Sequence, residues 1–243
     1  MSAYSVWRSI SDGSVISDIP DSVSNRWPHN EGSGTTLGDS IGSINGSING
    51  PSWVTGSGGE GSAYLDYDGV DDETDFSNNA SHFDHDTQSW MLWVNPDDIT
   101  TNRAYIRYND SAEDLLIWNR GDTANGRLEC FMDDADGGSD LETGADGVLS
   151  SGVWNFVTVV LDNMNQVAVY HAVASDTDVG APISTQNYDQ GLDSTISSVA
   201  FGLRDDGTDG HDGGMDDVLF CQGSAIPESD IEEWFDSTKQ SYV

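Results

Sequence analysis

The sequence predicts an all-β fold, a two-sheet antiparallel sandwich closed by one short C-terminal helix. Three observations carry this. Apolar and polar residues alternate with period two in short stretches along most of the chain, the pattern of strands with one covered face. The stretches between them are rich in Gly, Asp, Asn and Ser, the residues of tight connections. Helical periodicity is absent until the last twenty residues, so there is no strand–helix alternation to build a parallel sheet.

Nine stretches read as strands: 62–67, 88–94, 103–108, 115–119, 127–132, 154–161, 166–173, 197–203 and 215–221. Within them Trp90, Trp93, Trp154 and Phe156 are expected in the core. The tandem GSINGSING at 42–50 is too short for a solenoid and reads as a strand and turn. Near the C-terminus, Ile231, Trp234 and Phe235 form an apolar stripe at i, i+3 and i+4. Ser229 is expected as its N-cap, with Glu232 completing a capping box. Residues 1–22 fall outside the pattern and read as an arm or docking segment; residues 23–243 form the domain.

Only 36% of the 243 residues are hydrophobic, yet 8 Trp, 8 Tyr and 7 Phe supply large buried surfaces, which argues against disorder. The formal net charge is −35, from 43 acidic against 8 basic residues, and Lys239 is the sole lysine. In dilute buffer such charge opposes compaction, whereas at about 1 M salt the Debye length falls to about 3 Å and long-range repulsion is screened. A halophilic protein, haloarchaeal or from a haloarchaeal virus, is therefore expected. Nucleic-acid binding is excluded, because no basic stripe exists to displace counterions from phosphates. Cys130 and Cys221 lie in apolar strand contexts and read as buried thiols or one disulfide. No run is long enough to span a membrane, and the segment after Met1 has no apolar core of a secretion signal. That combination favours a virion surface over the extracellular or cell surface of a halophilic archaeon.

Five blocks in order carry a family resemblance: NRWPHNEGSGTTLGDSIGSINGSING (25–50), AYLDYDGVDDETDF (63–76), QSWMLWVNPDDI (88–99), SGVWNFVTVVLDNMNQVAVY (151–170) and GGMDDVLFCQGSAIPESDIEEWF (213–235). Over roughly residues 24–236 the chain resembles the concanavalin A-like laminin-G jelly-roll family. Leu219, Phe220 and Cys221 depart from the basic and tyrosine residues that usually follow the Asp-Asp-Val of the closing strand. The resemblance implies an antiparallel jelly roll and a calcium site between the early Asp-Ser loop and the closing strand. Its ligands would be Asp39, carbonyls near Gly42 and Asn45, and Asp216. The residues themselves equally allow Asp39 to make an Asx-turn and Asp216 to bond backbone amides.

The acidic runs 133–140 and 205–214 lack the spacing of a calcium-binding helix–loop–helix and read as solvated loops. His82 and His85 read as loop residues, and no strand carries the paired carboxylates of a glycosidase. With no catalytic apparatus visible, the expected role is a non-catalytic adhesion or recognition module. Its partner would be a host-surface glycan, an S-layer glycoprotein or neighbouring virion proteins, and the domain is expected to be a homo-oligomer. A purely structural virion subunit and a polysaccharide-active enzyme are the alternatives. The aromatic residues expected at a ligand face are Trp118, Tyr105 and Tyr108.

Overall fold

The computed structural model describes residues 19–243 except 57–58, 60–62, 110–112, 134–139, 164, 189–191, 193–195 and 205–206. Among the described residues the strands run, in chain order, β1 (Asn25–Trp27), β2 (Thr36–Leu37), β3 (Gly46–Asn49), β4 (Ser52–Thr55), β5 (Ala63–Asp68), β6 (Glu73–Asp75), β7 (Gln88–Pro96) and β8 (Asn102–Asn109). They continue as β9 (Glu113–Arg120), β10 (Leu128–Met132), β11 (Leu141–Ala145), β12 (Asn155–Asp162), β13 (Asn165–Val173), β14 (Ser184–Tyr188), β15 (Ser198–Phe201) and β16 (Asp212–Gln222). The helix α1 spans Glu228–Thr238. The expected arm at 1–22 lies outside the described residues up to 18. Of the remainder, Pro20 is buried and the Ser22 hydroxyl lies 3.8 Å from Cys221 Sγ.

The strands form two antiparallel sheets. Sheet A has the order β14-β13-β12-β7-β16-β5-β4, with β1 also on β16; sheet B has the order β11-β10-β9-β8-β15-β6-β3-β2. The result is the jelly-roll sandwich with one short C-terminal helix that the sequence predicts. Between the sheets lies an aromatic core in which Trp27 stacks on Trp90 (6.2 Å) and Phe83 on Trp90 (5.8 Å), with Phe76, Phe201 and Phe220 around them. A second apolar layer lies outside sheet A, where Ile231, Trp234 and Phe235 of α1 cover Met91, Trp93, Phe156 and Tyr170. Covered on both faces, the central strands β7 and β12 read as near-continuous apolar runs rather than alternating ones.

Two local details correct the sequence reading. The N-cap of α1 is Pro227, and Ser229 lies inside the helix, its hydroxyl on Asp230. Glu232 does not close a capping box; its Oε2 accepts the Val179 N–H at 2.9 Å and ties the helix to a loop. Cys130 and Cys221 are both buried free thiols. They belong to different layers, Cys130 to the core between the sheets and Cys221 to the layer under α1, so the strand pleat itself keeps them apart.

A bulge between Asp216 and Leu219 interrupts β16, and Asp217 takes up the left-handed region at φ +45°. The extra residue keeps Met215, Val218 and Phe220 in the core while Leu219 and Cys221 face α1. It also buries the Asp217 carboxylate, which accepts Arg26 Nε at 2.7 Å.

Candidate functional site

The structure places the expected ligand-face aromatics inside the protein. Tyr105 and Tyr108 are fully buried in the core. Tyr108 donates its hydroxyl to Gln88 Oε1 at 2.6 Å and accepts Trp90 Nε1 at 3.1 Å. Strict alternation would put these two tyrosines on opposite faces; a bulge in β8 between Ala104 and Ile106 turns both inward. Trp118 lies on the outer face of sheet B, but Arg120 and Arg204 hold their guanidiniums 5.6 and 5.7 Å from its ring centroid. Its indole N–H donates to Glu129 Oε1 at 3.2 Å, and 6% of the residue is exposed. None of the three rings offers a face to a ligand.

The residues implied as calcium ligands do not fit a cation. Asp39 accepts the Asn25 amide at 2.6 Å and the backbone N–H groups of Arg26, Ile41, Gly42 and Ile44 at 2.9 to 3.2 Å. Gly42 thus turns its N–H, not its carbonyl, towards the carboxylate, and the Asn45 side chain accepts the Asp39 N–H at 2.9 Å. Asp39 is the hub of an Asx-turn, with donors where a cation would need lone pairs. Asp216 is buried and accepts the N–H groups of Gly59 and Asp217, each at 2.8 Å. Burial and the neighbouring Asp217 push its carboxyl well above the usual range. The carboxylates that do converge among the described residues are Asp68, Asp71 and Asp72, in the β5–β6 turn, where Asp68 and Asp72 cap backbone N–H groups.

The histidines are likewise engaged within the fold. His82 bonds Asn25 and His85 bonds Gln222. His211 does not belong to a solvated loop: it is buried, 3.1 Å from the Gly214 carbonyl, and burial lowers its pKa to about 4.

The open chemistry lies on sheet A, beyond the edge of α1. Along β5 the side chains of Tyr64 and Asp66 point away from the core that takes Leu65 and Tyr67. Asp66 stands opposite Gly214 of β16, and Gly214 stands opposite Asn95 of β7, so the three form one row across the sheet. Trp154, just before β12, folds over the glycine: a Cβ at Gly214 would lie 3.0 Å from both the Trp154 and Tyr64 rings. The two half-buried rings meet edge to face, with centroids 5.3 Å apart and planes at 87°. Behind them an aromatic chain fixes the platform, Trp154 on Tyr242 (5.1 Å) and Tyr242 stacked on Trp93 (4.2 Å). The expectation that Trp154 is core is therefore corrected. It closes the end of the helix-covered layer and leaves part of its ring outside.

Around this platform the polar groups lack protein partners. Among the described residues, no hydrogen bond engages the Asp66 or Asp97 carboxylates, the Tyr64 hydroxyl or the Trp154 indole N–H. The Asn95 side-chain oxygen is buried and also without a partner. Burial raises the Asp66 pKa, and Asp97 and Asp212 raise it further. Tyr64 is raised by burial and then by Asp66 and Asp97. Asp212 is raised by burial and by Asp97, Asp98 and Asp68, against the lowering effect of Arg103. An apolar ring pair bordered by unsatisfied donors and acceptors is suited to a ligand with one apolar face and many hydroxyls.

One signal for this site was present in the sequence: alternation in SAYLDY puts Tyr64 and Asp66 on the face opposite Leu65 and Tyr67. The juxtaposition with Asn95, Trp154 and Gly214 is long-range and comes from sheet order alone.

No family model and no curated protein matches this chain. Solved structures resemble it in fold. The botulinum neurotoxin serotype D binding domain superposes with a TM-score of 0.63 at 16% identity, over 92% of this chain and 52% of that one. A serotype D ligand binding domain in complex with N-acetylneuraminic acid gives 0.61 at 14% identity, over 90% and 51%. Domain 4 of AbnA, a GH43 extracellular arabinanase from Geobacillus stearothermophilus, in complex with arabinotriose, gives 0.60 at 16% identity, over 88% and 97%. This chain spans about half the length of the botulinum domains. At these identities the likeness defines the class of fold alone, an antiparallel β-sandwich domain.

Proposed function

We propose that this protein is a non-catalytic carbohydrate-binding module that engages a glycan at the Tyr64–Trp154 platform. One observation carries the reading: two half-buried rings over Gly214 are surrounded by the partnerless polar groups of Asp66, Asn95 and Asp97. Ring faces take the apolar face of a sugar, and the carboxylates and amide take its hydroxyls. Sandwich domains of similar fold solved with arabinotriose and with N-acetylneuraminic acid support the class of ligand. The charge of −35 suits a molar-salt exterior, so the setting we propose is the surface of a virion or cell in brine, with a surface glycan or glycoprotein as partner.

The test is a glycan array probed in molar salt, paired with an assay for reducing ends released from the same glycans. Binding without release is expected. Release of sugar would replace the binding reading with a hydrolytic one. Silence across the array, from folded protein, would remove the glycan reading and favour a structural subunit.

A further inference from the structure

The Tyr64–Trp154 site carries a charge imbalance that points to the kind of sugar it takes. Each described cation is committed to carboxylates elsewhere: Arg26 to Asp217, Arg107 to Glu73, Arg120 and Arg127 to Glu129, Arg204 to Asp209 and Lys239 to Asp236. Arg103 alone comes near the site, and it holds Asp98 at 3.0 Å and Asp212 at 3.6 Å. No described cation pairs with Asp66 or Asp97. Acidic surface residues are plentiful in this chain, but here they flank two half-buried rings: Asp66 stands across Gly214 from Asn95, Asp97 follows two residues beyond Asn95, and Asp97 adds to the rise in the Asp66 pKa.

We infer that the site selects a saccharide unit bearing a free ammonium group, a hexosamine without its acetyl cap, and rejects uronic and sialic acids. The inference rests on the carbohydrate reading above and narrows it. An ammonium between Asp66 and Asp97 would relieve their mutual repulsion and could lie against the negative faces of Tyr64 and Trp154. A carboxylate-bearing sugar would add a third negative charge to the same space. Salt screens distant charges but spares contact pairs in a part-buried site, so the preference survives in molar salt.

The experiment is isothermal titration in molar salt with three probes: a glucosamine tetramer, its fully N-acetylated counterpart and a galacturonate tetramer. The glucosamine tetramer is expected to bind about two- to fivefold more tightly than the acetylated one, the scale of a favourable ion pair at a largely exposed site, and the galacturonate tetramer not at all. In the Asp66→Asn/Asp97→Asn protein, checked for an unchanged circular dichroism spectrum, the ratio between the first two should collapse towards one. Equal binding of the glucosamine and acetylated tetramers by the natural protein overturns the ammonium inference and leaves the glycan reading standing. A preference that persists in the double variant also overturns it. Failure of every saccharide, here and on the array, overturns both.

Discussion

Glu129 is fully buried although it faces outward from sheet B, and that burial explains why Trp118 belongs to the scaffold and not to a binding site. Arg127 Nε donates to its Oε2 at 2.6 Å, Arg120 to its Oε1 at 3.1 Å and the Trp118 indole to the same oxygen at 3.2 Å. Arg127→Met removes its charged hydrogen bond to buried Glu129, worth about 1.5–3 kcal/mol, together with an exposed pair to Asp146 that adds little. With roughly 2.1 cal/mol/K of unfolding entropy per residue, a chain of 243 residues loses about 2 °C of Tm per kcal/mol. The single variant should therefore melt about 3–6 °C lower. Arg120→Met/Arg127→Met leaves a buried charge without its cations, costs about 3–5 kcal/mol and should lower Tm by about 6–10 °C. Adding Glu129→Met should restore most of the loss, because an apolar trio needs no compensation. Scanning calorimetry in molar salt reads all three. A double variant that melts within about 1 °C of the natural protein would mean that Glu129 is hydrated and the face around Trp118 open.

Three further outcomes follow from the same structure. Diluting salt from molar to about 0.05 M should lower Tm progressively as repulsion among 43 acidic residues is unscreened, and a salt-independent Tm would contradict the halophilic reading. Burial lowers the pKa of His29, His171 and His211 to about 4 from 6.5. Their contribution to stability is whole above pH 6.5 and is lost as pH falls towards 4, because the unfolded chain takes up protons that the folded one refuses. His29→Asn, which suits the left-handed backbone at φ +52°, should reduce proton uptake on unfolding near pH 5 by about one; unchanged uptake would refute the assignment. Burial pushes the Cys221 thiol up to about 11 and raises Cys130 as well, so neither should react with a thiol reagent until the protein unfolds.

The sandwich was legible because its long strands announce themselves. Each of the nine stretches predicted as strands overlaps a strand of the sheets, and the Ile231–Trp234–Phe235 stripe marks α1. The strands that escaped, such as β6 (Glu73–Asp75), β11 and β14, are short and largely polar, and their pairing comes from neighbours rather than from their own pattern. The site was less legible for a related reason. Whether an aromatic residue is core or surface turns on bulges and on what covers each sheet: one extra residue in β8 buries Tyr108, and the reach of α1 stops short of Trp154. The Asp39 loop shows the same limit, since one Asp-Ser turn can hold a cation or five N–H donors, and only the direction of the Gly42 amide separates them.

The most direct measurement compares two tryptophans on the same glycan panel in molar salt, by affinity and by melting temperature. Trp154→Ala should weaken binding of the best glycan by about tenfold or more, the loss expected of a central aromatic contact, while the fold survives. Trp118→Ala should lower Tm and leave affinity within about twofold, since its ring is closed under Arg120 and Arg204. Affinity lost with Trp118 and kept with Trp154 would contradict the account and move the site to sheet B.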